Sequence, residues 1–245
     1  MAQSFEAWYA SLGIVTKACI AMVLGTALGI TVGYVNVYSL LLNSSAITSF
    51  QVWRFFTAAF FFGGFSFQWL MTVFSFISFL RYNEESSFKG KPADFALAIV
   101  FVILVIGLLG IYMGLPVTSS SLFLAVVWMY CKRNPTTNLG MFGFDFKASL
   151  FPWVLVAVNV LLVGSDILSN LLGIVAGHLY VFLKDVLPET HNLRLLETPL
   201  WLQRYFVAYG GQVNTPFGAA GNFNRNQPPP PSQRFFTGKG QKLGS

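Results

Sequence analysis

Five long stretches of this chain run without a charged residue, and their lengths decide what they are. Ala18–Gln51, Phe55–Leu80, Phe95–Cys131, Ala148–Ser165 and Ile167–Leu183 are apolar almost throughout, and the last carries His178 as a neutral exception. A helix that crosses a bilayer needs roughly 20 apolar residues. The 37-residue run Phe95–Cys131 exceeds one span and breaks at MGLPV, where Gly114 and Pro116 suit a tight turn. The pattern therefore predicts six spans, about residues 18–40, 55–80, 95–114, 117–131, 148–165 and 167–184. At 1.5 Å per residue the fourth and sixth would cover about 23–27 Å, against a hydrocarbon thickness of about 30 Å. Undersized spans thin the bilayer, snorkel their ends or pack against longer neighbours.

Composition excludes a water-soluble domain. Hydrophobic residues make up 55% and charged residues 10% of 245, where soluble domains carry about 25% charged. The net charge of +6 matters less than its placement. Fourteen of the fifteen Lys and Arg residues fall on one side of the six predicted spans, and Arg54 falls on the other. The positive-inside rule then puts both termini in the cytosol. The far side has one sizeable loop, about residues 41–54, and there Asn43 heads an N-x-S/T sequon, a possible glycosylation site. No cleavable signal peptide is evident before Lys17. Cys19 and Cys131, with no CxxC pair, indicate neither a disulfide framework nor a zinc site.

Small residues at four-residue spacing let helices approach closely in lipid. Gly25, Gly29 and Gly33 in span one, and Gly173 and Gly177 in span six, have that spacing and predict a packed bundle. Polar groups at membrane depth narrow the chemistry, because each needs a partner or water. They are Ser119–Ser121 in span four, Asn159 in span five, and Asn170 and His178 in span six. If they share a face, they would line a wet groove, which with thinned lipid lowers the desolvation barrier to a passing polar chain.

VWRFFTAAFF (52–61) followed by GIVAGH (173–178) resembles the rhomboid superfamily, whose active members are intramembrane serine proteases. The resemblance implies a serine in G-x-S-G on the fourth span and a histidine on the sixth, within hydrogen-bond reach of each other. Here the fourth span reads VTSSSLFLA without flanking glycines, and the position of the family histidine is Asn170. His178 lies about 12 Å further along the helix. The longer blocks WRFFTAAFFFGGFSFQWL, RYNEESSFKGKPADF (81–95), KRNPTTNLGMFGF (132–144), FPWVLVAVNVLLVGSDILSNLLGIVAGHLYVFLKDVLP (151–188) and ETPLWLQRYF (197–206) resemble the Derlins. These are rhomboid-like pseudoproteases of the endoplasmic reticulum. Gly13 stands where Derlins usually have proline.

The resemblance implies an all-α membrane protein with a six-helix rhomboid-like bundle over residues 1–190. It implies no catalytic activity, and a part in retrotranslocating misfolded lumenal or membrane proteins for degradation. It gives Trp53 and Arg54 a functional place in the lumenal loop, and it implies a membrane ubiquitin ligase complex and misfolded proteins as partners. An intramembrane protease and a small-molecule channel or transporter are the alternative readings. Neither metal, cofactor nor nucleic acid is expected.

Residues 191–245 form a cytosolic tail. From about 207 it is rich in Gly, Asn, Gln and Pro, a composition that predicts disorder. It ends in FFTGKGQKLG. Phe236, Gly238, Gly240, Gln241 and Leu243 there resemble the SHP box by which some Derlins bind a hexameric AAA ATPase of the valosin-containing type. Phe236 and Leu243 would be its apolar anchors, and the glycines would let the backbone lie close to the partner. No G-x-x-x-x-G-K-[ST] occurs in the chain itself.

Overall fold

The computed structural model describes residues 5–43, 51–141, 144–191 and 196–208. The chain divides into two units, 1–213 and 214–245, and every described residue belongs to the first. In order, the described elements are α1 (Phe5–Ser11), α2 (Ile14–Thr31), α3 (Val37–Leu40), α4 (Trp53–Phe60), α5 (Phe67–Tyr82), α6 (Pro92–Met113) and α7 (Ser119–Arg133). A two-stranded hairpin follows, β1 (Asn138–Met141) and β2 (Phe144–Lys147), then α8 (Phe151–Val158), α9 (Ile167–Val181), α10 (Leu187–His191) and α11 (Leu200–Ala208).

Three of the described helices are long and apolar enough to cross a membrane: Ile14–Thr31, Pro92–Met113 and the run Ile167–Thr190. That run continues α9 through a π-helical turn, Phe182–Val186, so the sixth expected span is not undersized. The shorter helices at membrane depth are α5, α7 and α8, of 16, 15 and 8 residues; π turns over Asn83–Ser87 and Asn159–Val163 continue the first and the last, and α7 lies in the fourth expected span.

The first expected span ends early, at Thr31, where Gly33 adopts φ +77. The second is two helices. Gly63 turns the chain at φ +94, and the Ser66 side chain accepts from Trp69 N to start α5 afresh. The break predicted at Gly114 is present, with that residue left-handed at the end of α6. The hairpin departs from an all-α reading. Its antiparallel register pairs Leu139 with Phe146, and Leu139 is buried.

At the centre stands α7, with every residue from Ser121 to Cys131 buried. In water such an all-round apolar helix would be a core helix; here its closest neighbour is α9. A Cβ placed on Gly173 would stand 2.2 Å from the Ser121 carbonyl oxygen, and one on Gly177 would stand 2.9 Å from that of Ala125. The pair in span six is therefore a true close crossing, met by the small residues Ser121 and Ala125. The glycines of span one are different. Gly25 has open space where a Cβ would go, and Gly29 meets Val35 of its own turn. A third approach joins α4 to α6, where the Phe55 ring occupies the space beside Gly107.

Gly173→Ala should overpack the crossing and cost about 1–3 kcal/mol or more. Gly25→Ala should leave stability unchanged or raise it by up to about 1 kcal/mol through helix propensity. Thermal unfolding of the two variants in detergent checks the contrast.

Candidate functional site

The polar side chains singled out by sequence separate into two groups. At one end of the bundle, Ser165 and Asp166 open α9. The Asp166 side chain caps Leu168 N, and the Asn170 amide nitrogen donates to Ser165 Oγ at 2.8 Å and to the Asp166 carbonyl at 2.9 Å. Asn170 Oδ1 accepts from Asn159 Nδ2 at 3.1 Å. Beside them, the Ser121 hydroxyl donates to the Ser169 carbonyl at 2.6 Å and lies 3.0 Å from Ser169 Oγ. Ser119, Ser121, Ser169, Asn159 and Asn170 are all buried. Ser121 with Ser169, and Asn159 with Asn170, form a sealed seam of hydrogen bonds joining α7, α8 and α9, rather than an open channel wall.

His178 is not part of that seam. It lies exposed on α9, with its ring 5.9 Å from that of Trp128. The glycines explain the separation: Gly173 meets α7 at Ser121, and His178 follows beyond Gly177, opposite Ala125 and Trp128.

Arg54 and Trp53 open α4 at the same end as the seam. The Arg54 guanidinium donates to the carbonyls of Tyr38 at 3.1 Å and Leu41 at 3.0 Å, and to the Gln51 side chain. Thr57 Oγ1 donates to Leu40 O. Together these hold the end of α3 against α4. The loop is fixed further by Leu42 N donating to Pro116 O at 2.8 Å, and the start of α7 by Thr118 N donating to Ala58 O. Arg54 is thus a clamp on carbonyl groups left free at a helix end, while Trp53 is exposed. Asn43 is exposed at the edge of the described residues, and the Ser45 of its sequon lies outside them. Phe236, Gly238, Gly240, Gln241 and Leu243 also lie outside them.

The opposite end holds residues that sequence reasoning passed over. Glu84 sits at the start of a π-helical turn and reaches the first turn of α2, accepting from Val15 N, Thr16 N and Thr16 Oγ1 at 3.2, 3.1 and 2.6 Å. A carboxylate suits a helix N-terminus, where free N–H groups and the dipole favour negative charge. Gly13 lies against this flexible carboxylate, which would have to shift to admit a side chain. Any Cβ there would stand 1.9 Å from Glu84 Cδ. Asn83, fully buried, donates to Val126 O in the middle of α7 at 3.0 Å.

Arg133 makes a two-pronged ion pair with Asp185, at 2.8 and 3.0 Å, and its guanidinium lies 4.3 Å from the Phe88 ring centroid. Lys184 lies 3.6 Å from Asp94 and donates to Leu196 O. Thr198 donates to Asp94 as well. Segment 196–208, assigned by sequence to the tail, is therefore tied to the bundle. No local spacing signals these pairs, since Thr198 and Asp94 are 104 residues apart.

Residues 12–200 match the Der1-like family. Derlin-2 of Oryza sativa subsp. japonica is 30% identical over 95% of this chain and 100% of its own length. Derlin-2.2 of Arabidopsis thaliana is 31% identical over 84% of this chain and 90% of its own. Derlin-1 of Arabidopsis thaliana is 30% identical over 80% and 75% respectively.

Asn170→Ala would leave the Asn159 amide and the Ser165 hydroxyl without their buried partner, at a cost of about 1–3 kcal/mol. His178→Ala, at an exposed position, should stay within about 0.5 kcal/mol. Chemical or thermal unfolding in detergent measures both; equal losses would place His178 in the buried network.

Proposed function

This chain belongs to the Der1-like family, the Derlins, and we propose that it serves endoplasmic-reticulum-associated degradation as a non-catalytic retrotranslocation factor. The observation that carries this reading is the family match across the whole bundle, from residue 12 to residue 200. In the proposal the chain crosses the endoplasmic reticulum membrane six times with both termini in the cytosol. The ion-paired end, with Lys17, Arg81, Arg133 and Lys184, faces the cytosol. The Arg54 end faces the lumen.

Absence of catalysis is supported by the commitment of Ser121 to the Ser169 carbonyl and by the position of His178 on an outer face. A serine protease needs its base within hydrogen-bond reach of the nucleophile. The mechanism we assign is physical. The apolar part of α5, Phe67–Leu80, extends roughly 21 Å at about 1.5 Å per residue, short of the ~30 Å hydrocarbon slab, and Phe67, Leu70, Met71 and Phe74 on it are exposed. Lipid beside it thins, and the barrier to moving a polar chain falls with it. The buried seam at Asn159, Asn170 and Ser121 would act by holding α7, α8 and α9 in register, not by lining a path.

Force comes from elsewhere. The SHP-like box Phe236-x-Gly238-x-Gly240-Gln241-x-Leu243 recruits the hexameric AAA ATPase, and a membrane ubiquitin ligase marks the substrate it extracts. Truncation after Gln233, or Phe236→Ala, should abolish co-purification of the ATPase from detergent extracts while the bundle melts as before. Retention of the ATPase by both variants would refute its recruitment by this box. A fluorophosphonate probe should label no serine of the purified protein; labelling that disappears with His178→Ala would mean a protease.

A further inference from the structure

The outer face of the α7–α9 crossing carries an open groove of about 640 Å³ that the proposed function does not use. It is a consequence of the glycine packing. With no side chain at Gly177, where a Cβ would stand 3.2 Å from Trp128 Cβ, α9 lies close against α7 and the Trp128 indole becomes part of the groove lining. Val175 and Leu179 of α9, with Phe182 at the start of the π turn that follows, supply apolar surface, and all three are exposed. The indole N–H of Trp128 is buried and has no acceptor among the described residues.

One end of the groove is charged. Lys132 is exposed, and its ammonium lies 4.8 Å over the Trp128 ring. The neighbouring cations are engaged inward, Arg133 by Asp185 and Lys184 by Asp94. No carboxylate is among the residues lining the groove. Lys132 and Trp128 belong to the last turns of α7, at the same end as the ion-paired layer, so the apolar strip ends where the polar zone of the bundle begins. Tryptophan and lysine at such a boundary are interface anchors.

We propose that this groove is a binding site for an anionic phospholipid, with an acyl chain along Val175, Leu179 and Phe182 and the phosphate at Lys132 beside His178. Charge complementarity selects this occupant. A zwitterionic lipid brings its own ammonium toward Lys132. A second copy of the chain or another apolar helix seated here would bury the ammonium without a counter-charge, which is costly. The inference rests on the membrane placement above and not on any part in degradation.

The test uses the full-length protein in phosphatidylcholine vesicles that contain either brominated phosphatidylserine or brominated phosphatidylcholine at equal mole fraction. Acyl-chain bromines quench tryptophan on contact, and the difference between the natural chain and Trp128→Phe isolates the signal of Trp128. The expected result is greater quenching of Trp128 by the anionic lipid, lost in Lys132→Gln, retained in Lys132→Arg, and unaffected by inorganic phosphate. Equal quenching by the two lipids, as would follow from a groove covered by another helix or a second copy, overturns the proposal. So does an excess that survives Lys132→Gln, or one that inorganic phosphate removes. Because Lys132 is exposed, its variant tests the site even if Trp128→Phe fails to fold. Absence of quenching by either lipid would instead overturn the membrane placement, and this site with it.

Discussion

The crossing of α9 over α7, at Gly173 and Gly177 against Ser121 and Ala125, is the contact on which the rest of the bundle is arranged. In lipid, helices gain little from burying apolar surface against one another, because the surrounding tails are equally apolar. Close backbone approach supplies what the hydrophobic effect does not: many van der Waals contacts and short hydrogen bonds between side chain and main chain. Leaving two side chains off α9 brings the Ser169 carbonyl within 2.6 Å of the Ser121 hydroxyl. The same omission seals the polar seam on one flank and opens the Trp128 groove on the other.

Around that crossing, polar groups act as joints between elements distant in sequence. Asn83 ties the end of α5 to the middle of α7, and Glu84, its neighbour, caps α2. Arg54 holds α3 to α4, and Arg133 holds α7 to the extension of α9. Glu84 and Arg54 satisfy backbone groups that helix ends leave free, Arg133 meets a counter-charge, and Asn83 adds a second bond to a mid-helix carbonyl. The π-helical turns at Asn83, Asn159 and Phe182 fall next to these joints. A helix that widens by one residue frees a carbonyl or redirects a side chain, so such turns concentrate where geometry is being adjusted.

A bundle built this way combines a tightly held centre, α7, with a helix beside it, α5, whose apolar part is short. In the function we propose, that division lets the protein disturb its bilayer while the energy for extraction comes from a motor recruited by the tail.

Much of this was legible along the chain. Unbroken apolar runs required membrane helices, the break at Gly114 and Pro116 followed from turn chemistry, and the Gly173–Gly177 spacing foretold a close crossing. Blocks of sequence carried the family. Local pattern failed where two answers share one pattern. Gly25, Gly29 and Gly33 have the same spacing as the packed pair, yet Gly25 faces open space, Gly29 meets Val35 of its own segment, and Gly33 follows the helix end at positive φ. FFFGGFSF is as apolar as a span, and its interruption depended on how Gly63 and Ser66 meet their surroundings. Glu84, Asp94 and Asp185 gave no local signal, because their partners lie 52 to 104 residues away in the chain. Hydrophobicity and spacing act along one helix, so the sequence determined which segments avoid water and which faces are small enough to pack. Which small face is used, which charge is paired and which end of a polar helix is sealed depend on the neighbour brought alongside, and that only the tertiary structure decided.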